Sequence, residues 1–189
     1  MSAPPCAAPL DERTLVEYWL GELPDDAEAA VDEHILGCGH CSARLGELVA
    51  LAGGIREAFR RGGVQAVVGD AFVRRLAEQG LRVREYRVPR NGAVDCTVTP
   101  EDDLVVSRLE APLAGVSRLD VVVHAPGLPA EVQQDVPFDA ERGEVVYASN
   151  TTELRAAPSL RLRLELIAVD DSGRRVIGEY TFNHTAHEA

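Results

Sequence analysis

The chain has 189 residues, a net charge of −12 and 46% hydrophobic residues. This hydrophobic content excludes a wholly disordered protein, and the length fits one large domain or two small ones. The negative charge argues against direct nucleic-acid binding, because phosphate contacts need a basic surface, and all 19 basic residues are arginines.

The composition also bears on where the protein works. No apolar run reaches the roughly 18 residues of a membrane span. The opening MSAPPCAAPLDER has neither the basic start nor the hydrophobic segment of a signal peptide. We therefore expect a cytoplasmic protein with no membrane partner. In that setting its four cysteines are better explained by metal binding or redox chemistry than by a framework of structural disulfides.

The first two helices are predicted from apolar residues at helical spacing. The first helix ends at Pro24 and carries one apolar face, made of Leu15, Val16, Trp19, Leu20 and Leu23. Asp25 is the expected N-cap of the second helix, and Glu28 stands where a capping box would place it. Gly37 ends this helix. His34 then lies in its last turn, on the same side as the core residues.

Two further helices are predicted before residue 80. A long third helix runs from about Cys41 to Gly62-Gly63, and residues 62–69 form a looser connection. Asp70 is the expected cap of a short fourth helix that ends at Gly80. One face of this helix carries Phe72, Val73 and Leu76.

After Gly80 the hydrophobic period changes from about 3.6 to 2, which is typical of strands. Short β-rich runs follow, separated by Gly, Pro and Asp: LRVREYRVP, AVDCTV, DLVVSRLEA, RLDVVVHA and GEVVYAS. The clearest pattern is a hairpin between residues 160–166 and 176–182, turned by DDSG. The sequence therefore predicts an α+β protein with two segregated domains, a helical domain over residues 1–80 and an antiparallel β-sandwich over residues 81–189.

A histidine and two cysteines stand at metal-ligand spacing across the junction of the second and third helices. His34 precedes Cys38 by four residues, and Cys38 precedes Cys41 by three. Zinc accepts imidazole and thiolate in one tetrahedral shell, and a helix N-terminus favours the thiolates. Glycines flank Cys38 where the backbone would bend around an ion. The spacing predicts one zinc ion that closes the helical hairpin.

A tetrahedral site needs a fourth ligand, and the sequence leaves its identity open. Cys6 is the leading candidate because it lies just before the first helix, and Asp11 or a water molecule is the alternative. His40, between the two cysteines, is expected to be a solvated turn residue. The bland interpretation of His34, Cys38 and Cys41 is a core histidine with two buried thiols. Redox sensing stays open as well, since thiolates released from zinc can form a disulfide.

The segment LVEYWLGELPDDAEAAVDEHILGCGHCSARLGELVAL, residues 15–51, resembles the N-terminal domain of the bacterial zinc-binding anti-sigma factors. It has their H-x-x-x-C-x-x-C motif between the second and third helices, after a YWLGELP stretch and an acidic second helix. The resemblance covers about residues 10–80. It implies that His34, Cys38 and Cys41 are zinc ligands, and it carries the family's upstream ligand onto Cys6.

The resemblance also implies a function and a partner. In that family a four-helix domain wraps a sigma factor of the extracytoplasmic-function group and blocks its access to RNA polymerase. Residues 1–48 fit such a partner, since ten acidic residues and two arginines give a net charge of −8 and DNA-binding sigma factors expose basic surfaces. The apolar contacts would come from Leu15, Trp19, Leu23, Phe72, Val73 and Leu76. These residues fit the core of their own domain equally well.

The second half of the chain shows no catalytic motif, so we expect a protein that binds and does not catalyse. Cys96 is expected to be a buried, inert thiol on a strand. His124, His184 and His187 would form a second metal site only if the fold brought them together. The β-domain is left with three possible roles, which are sensing an unidentified small ligand, binding another protein and stabilising the first domain. The alternative to an anti-sigma factor is a zinc-stabilised interaction module unrelated to sigma factors.

Overall fold

The structure is a computed structural model that describes residues 6–171 and 173–187. The chain forms two compact units, Met1–Glu57 and Ala58–Ala189, and the division falls within the third helix. The domain boundary that the sequence pattern places near residue 80 therefore lies inside the second unit.

The first unit consists of helices α1 (Glu12–Leu20), α2 (Asp25–Gly37) and most of α3 (Gly39–Arg60). Asp11 caps α1, because its carboxylate accepts hydrogen bonds from the backbone N–H and the hydroxyl of Thr14. Gly21 ends α1 in the left-handed conformation at φ 71°, which glycine adopts without a side-chain clash. The hydroxyl of Tyr18 donates to Asp32 and joins α1 to α2.

Two helix starts differ from the predicted capping. The N-cap of α2 is Pro24, which has no side-chain hydrogen bond, and Asp25 is the first helical residue. The N-cap of the fourth helix, α4 (Asp70–Glu78), is Gly69, so Asp70 is likewise the first helical residue. Both carboxylates still favour their helix, because a negative charge in the first turn interacts well with the helix dipole.

The described residues of the second unit form nine strands in two sheets. One sheet has the order β1-β7-β4-β2 and the other has the order β3-β9-β8-β5-β6. The strands are β1 (Ala66–Val68), β2 (Val83–Val88), β3 (Ala93–Cys96), β4 (Leu104–Glu110), β5 (Arg118–His124), β6 (Glu131–Gln133), β7 (Glu144–Ser149), β8 (Leu160–Asp170) and β9 (Gly173–His184). The predicted hairpin is the β8–β9 pair; Ser172 of its turn lies outside the described residues.

The fold class is confirmed as α+β, but the prediction of purely antiparallel pairing was wrong for two strand pairs. β2 pairs with β4 in parallel, and β3 pairs with β9 in parallel. Each of these pairs is non-consecutive in the chain, so its direction depends on long connections and not on a hairpin turn. Strands β1 and β6 were not predicted, because three residues are too few to show a period.

A common core lies between the two sheets. Val88, Leu109 and Tyr147 from the first sheet cluster with Leu164 and Tyr180 from the second. The hydroxyl of Tyr180 crosses to the first sheet and donates to the backbone carbonyl of Glu110 at 2.6 Å. The two sheets thus pack face to face, as the sandwich prediction requires.

The outer face of the β1-β7-β4-β2 sheet is covered by helix α4 (Asp70–Glu78). Val73 and Leu76 of α4 pack with Leu104 and Val106 of β4, and Phe59 at the end of α3 joins them. Strand β4 is therefore buried on both faces, and six of its seven residues are buried. Because α4 and β1 belong to this packing, the second unit begins well before residue 80.

Gly62 connects α3 to the second unit at a tight backbone contact. Its φ is 71°, and a Cβ at this position would collide with the hydroxyl of Thr151. Thr152, in the short helix α5 (Thr151–Ala156), donates from its backbone N–H to the carbonyl of Gly62 and from its hydroxyl to that of Arg61. A side chain at residue 62 would separate these groups, so glycine is required.

Candidate metal centre

Four potential metal ligands come together in the first unit. One ligand atom each from Cys6, His34, Cys38 and Cys41 lies within 4.8 Å of all the others. Cys41 is fully buried and the other three side chains are half-buried. Within residues 6–171 and 173–187, this is the one group of three or more His, Cys, Asp or Glu side chains that could hold a metal ion.

The junction of α2 and α3 positions three of the four residues. His34 is in the last turn of α2, and Cys38 is the only residue between the two helices, in an extended conformation. The backbone N–H of Ser42 donates to the carbonyl of Cys38, so Cys38 immediately precedes α3 and Cys41 lies in the first turn of that helix. Neither Gly37 nor Gly39 has a positive φ, so the bend does not depend on left-handed glycines.

Cys6 reaches the group through the segment before α1. A guanidinium N–H of Arg44, on α3, donates to the backbone carbonyl of Leu10 and holds this segment against the helix. The Sγ of Cys6 then lies 3.5 Å from Nε2 of His34. Arg44 stands 34 residues away from Leu10 in sequence, which is why the position of Cys6 was open at the level of sequence.

The distances between these ligand atoms fit one zinc ion. Nε2 of His34 lies 3.5 Å from Sγ of Cys6 and 3.3 Å from Sγ of Cys41. Tetrahedral zinc, with bonds of about 2.3 Å to sulfur and about 2.0 Å to nitrogen, separates such a pair by about 3.5 Å. Three thiols and one imidazole are also the ligand set of common structural zinc sites. The group is therefore compatible with a single zinc ion.

The electrostatics of the site favour a thiolate at Cys38. Its sulfur accepts from the backbone N–H of Cys41, and this bond, a hydrogen bond from Cys6 and the N–H of His40 lower the pKa of Cys38 to about 7. For Cys6, the N–H of Ala8 lowers the pKa, but the hydrogen bond to Cys38, burial and the other thiols raise it above its usual value. Cys38, immediately before α3, therefore ionises more readily than Cys6.

Asp11, a predicted alternative for the fourth ligand, and His40, predicted to be a solvated turn residue, are not part of the group. The carboxylate of Asp11 serves as the cap of α1, with Thr14 as its partner, and lies outside the metal-ligand group. Its position as a helix cap explains why it is not the fourth ligand. His40 lies in the first turn of α3, half-buried and also outside the group.

The candidate residues of the second unit do not form a second metal site within the described part of the chain. His124 on β5 lies 3.4 Å from the carboxylate of Glu165. His184 is buried near the end of β9, whereas His187 is exposed. Cys96 is a half-buried free thiol on β3, and burial raises its pKa, as the charge of Asp95 does.

A family comparison places the ligand cluster in a known context. Residues 12–42 match the family model described as "Putative zinc-finger". This segment is therefore similar to a zinc finger of the anti-sigma-factor type. The match covers well under half of the chain and includes His34, Cys38 and Cys41, whereas Cys6 precedes it. The family is a regulatory, non-enzymatic domain that is usually found in anti-sigma factors.

The other comparisons add no functional information. No curated protein matches the chain. Among solved structures, the chain is similar to the N-terminal domain of phage TP901-1 ORF48, with 11% sequence identity and a TM-score of 0.39. The similarity covers 57% of this chain and 100% of that chain. A score this low carries no argument about fold or function. In the part of the chain that the structure describes, no helix is long and apolar enough to cross a bilayer.

The predicted partner-binding residues mostly lie in the cores of the two units. Leu15 and Trp19 of the zinc finger are buried, as are Val73 and Leu76 of α4. Leu23 and Phe72 are half-buried. Helical periodicity identifies an apolar face but does not say whether that face contacts the protein's own core or a partner.

Other apolar side chains of the first unit are exposed. Leu36, at the end of α2, is 90% exposed, and Leu51 on α3 is 63% exposed. Val49 and Ile55 on α3 are exposed as well. The sequence signal for these residues was an α3 that is apolar on more than one side, which exceeds what a small helical core can bury.

Proposed function

We propose that this protein is a zinc-dependent anti-sigma factor, which sequesters a sigma factor of the extracytoplasmic-function group and so represses transcription. The observation that carries the proposal is the zinc finger of the anti-sigma-factor type, with four ligand residues gathered at the α2–α3 junction. Zinc would be held by Cys6, His34, Cys38 and Cys41 and would fix the hairpin. On this proposal the protein acts in the cytoplasm, by binding and not by catalysis.

Charge supports a basic protein partner. Helix α2 contains five carboxylates and no arginine, and all five are exposed: Asp25, Asp26, Glu28, Asp32 and Glu33. A surface of one sign speeds association with a partner of the opposite sign and disfavours partners of the same sign. A DNA-binding sigma factor has a basic surface that contacts the phosphate backbone, so its surface charge is positive, as this partner requires.

Shape and polarity support a helix of that partner as the bound element. A groove of about 300 Å³ lies between α1 and α3, with Leu15, Leu48 and Leu51 as its apolar residues and Glu12, Arg44 and Glu47 as its polar ones. Along α3, residues 44, 47, 48 and 51 follow the spacing of one helix face. Apolar grooves with charged rims accept amphipathic helices. We therefore place a basic amphipathic helix of the sigma factor in this α1–α3 groove.

The packing of α4 supports an interface formed by α1, α2 and α3. Helix α4 has its apolar residues Val73 and Leu76 packed on strand β4, and Asp70 pairs with Arg108 of that strand at 2.6 Å. An interface that used the apolar face of α4 would first have to break this packing. The proposal therefore needs no contact from residues 70–78.

The test is co-purification from the native cells followed by a transcription assay. The wild-type chain should retain a sigma factor, identified by mass spectrometry, and inhibit transcription that depends on it. Leu51→Glu, which puts a charge in the groove, should lose the partner. Leu128→Glu is the matched control, because Leu128 is 69% exposed in the second unit, and it should retain the partner.

The wild-type chain could instead capture a partner that is not a sigma factor. If Leu51→Glu loses that partner and Leu128→Glu retains it, the result supports a zinc-stabilised interaction module. Recovery of no sigma factor with the wild-type chain would contradict the proposed function. Retention of the sigma factor by Leu51→Glu would contradict the groove as its binding surface.

A further inference from the structure

A cavity lies between the two sheets of the second unit. Its walls are mainly apolar and come from both sheets and from α5, with Val105, Val123, Leu154, Leu162 and Phe182 among them. Its volume is about 30 Å³, which holds about two water-sized groups. Among the described residues that line it, Arg163 is exposed, and the others are buried or half-buried.

Three hydroxyl groups line this otherwise apolar cavity. Ser107 on β4 and Tyr147 on β7 are directly opposite each other in the antiparallel register, and Ser149 follows two residues after Tyr147 on the same face. Ser107 is 2% exposed and Tyr147 is 5% exposed. None of the three side chains forms a hydrogen bond with another group in the described residues.

A hydroxyl that faces an apolar cavity and has no protein partner depends on an occupant of the cavity for its hydrogen bonds. The fourth polar group of this region is already paired, since the hydroxyl of Tyr86 donates to the carbonyl of Thr97 and accepts from its N–H. Ser107, Tyr147 and Ser149 therefore have free hydrogen-bonding capacity on one wall of the cavity. A ligand with a complementary polar group would use it.

The electrostatics favour an uncharged ligand. Arg163 is the only charged side chain on the wall, and its guanidinium already pairs with Glu165 at 2.9 Å and with Glu179 at 3.9 Å. Burial raises the pKa of Tyr147 and the carboxylates of Glu131 and Glu153 add to this, so its hydroxyl stays protonated and can donate. The cavity offers hydrogen bonds and apolar contact but no counter-charge.

We propose that this cavity is a binding site for a small, uncharged organic molecule with one hydroxyl or carbonyl group on a short aliphatic body. The polar group contacts the hydroxyls of Ser107, Tyr147 and Ser149, and the aliphatic part lies among the apolar residues. This site belongs entirely to the second unit and does not depend on the proposed sigma-factor interface.

Straight-chain alcohols from ethanol to 1-hexanol test the proposal on the full-length protein, by methyl NMR titration. We expect saturable shifts confined to residues of the cavity such as Val105, Val123 and Leu162. Affinity should rise about fourfold with each added methylene and then fall once the chain outgrows the cavity. If the cavity holds only water, no alcohol will give saturable shifts, and the proposal is overturned.

Two variants test the polar contacts. Tyr147→Phe removes one hydroxyl with little change of volume and should weaken alcohol binding by about fivefold, which is the value of one net hydrogen bond. Ser149→Ala, at a less buried position, gives the same test if Tyr147→Phe does not fold. Tyr18→Phe, in the first unit, is the control and should bind as the wild type does. Equal affinity in all variants would refute the assigned contacts.

Discussion

At the scale of single residues, the identity of the fourth zinc ligand is the point where geometry adds most to the sequence. His34, Cys38 and Cys41 lie within eight residues and are fixed by one helix junction. Cys6 reaches them only because Arg44 holds the backbone of Leu10. The geometry supports Cys6 as the fourth zinc ligand, so neither Asp11 nor a water molecule is required to complete a set of four.

Replacing Cys6 by serine should weaken zinc binding. Loss of an outer-shell partner typically weakens a metal site about 10- to 100-fold, so loss of a direct ligand should weaken it by more than about 100-fold. Competition with a chromophoric chelator measures this affinity. Cys96→Ser removes a thiol from the second unit and is the matched control. Equal zinc affinities in the two variants would mean that Cys6 is not a ligand.

A second residue-scale prediction concerns His184. It is 3% exposed, and neither ring nitrogen has a hydrogen-bond partner in the described part of the chain. We expect His184→Leu to raise the free energy of unfolding by about 1 kcal/mol, because it replaces unpaired polar atoms by apolar ones. Tyr180→Phe, on the same strand, removes a hydroxyl that has a hydrogen-bond partner and should lower the free energy of unfolding by about 1 kcal/mol.

Urea unfolding monitored by a probe of the second unit measures both changes. A loss of stability in His184→Leu similar to that in Tyr180→Phe would show that His184 has partners, such as bound water, that the protein groups do not supply.

At the scale of elements, the attachment of α4 to its sheet depends on a buried arginine. Arg108 on β4 has a side chain 8% exposed and pairs with Asp70 of α4 and Glu85 of β2. Arg108→Met should lower the free energy of unfolding by about 2 kcal/mol, since it removes the charge-assisted hydrogen bonds that Asp70 and Glu85 accept from a buried guanidinium. Arg87→Met removes an exposed partner of Glu144 and should cost less than about 1 kcal/mol.

Urea unfolding at neutral pH compares the two variants. If Arg108→Met is no more destabilising than Arg87→Met, the Arg108 network does not hold α4 in place.

The same network predicts a dependence of stability on pH. Burial raises the pKa of Asp70, but the hydrogen bond and charge of Arg108, with Arg142 and Arg74, lower it more. The hydrogen bond from Arg108 likewise lowers the pKa of Glu85 against its burial. Folding therefore favours the ionised form of both carboxylates. Their contribution to the free energy of unfolding is fully present above the unfolded-state pKa of about 4. It is lost as the pH falls through the lower pKa values of the folded state.

Urea midpoints between pH 3 and pH 6 test this dependence. Stability should fall with decreasing pH in the wild type, and Asp70→Asn should reduce the slope. An unchanged slope in Asp70→Asn would show that this carboxylate is not responsible.

The elements also show which parts of the fold the sequence could predict. Helices α1, α2 and α3 follow from local periodicity, because their apolar faces repeat within each helix. Strands β1 and β6 are too short to show a period. The parallel direction of β2–β4 and β3–β9 was missed because alternation reports which face is buried and not which way a neighbour runs.

Helix α4 illustrates the same limit for packing. Its apolar face was predicted correctly, but a helix that packs on helices and one that packs on a sheet have the same periodicity. Only the contact of Val73 and Leu76 with Leu104 and Val106 assigns it to the second unit. For the metal centre, the local spacing of His34, Cys38 and Cys41 was sufficient to predict the cluster, whereas Cys6 needed a long-range contact.

At the scale of the whole molecule, the two units have separate proposed roles. The first unit, with its zinc finger, acidic α2 and apolar α1–α3 groove, is proposed to bind the sigma factor. The second unit, with its own core and cavity, is proposed to bind a small uncharged molecule. The variants that test one role lie outside the residues that carry the other, so each proposal can fail without the other.

The most direct test of the central claim is competition for the sigma factor between the purified zinc-loaded protein and core RNA polymerase. The protein and the polymerase should exclude each other, and increasing amounts of the protein should remove the sigma factor from the holoenzyme. Cys38→Ser should do so only at more than about tenfold higher concentration, since its hairpin lacks a zinc ligand. A stable complex containing the protein, sigma factor and polymerase together would contradict the claim, as would full displacement by zinc-free protein.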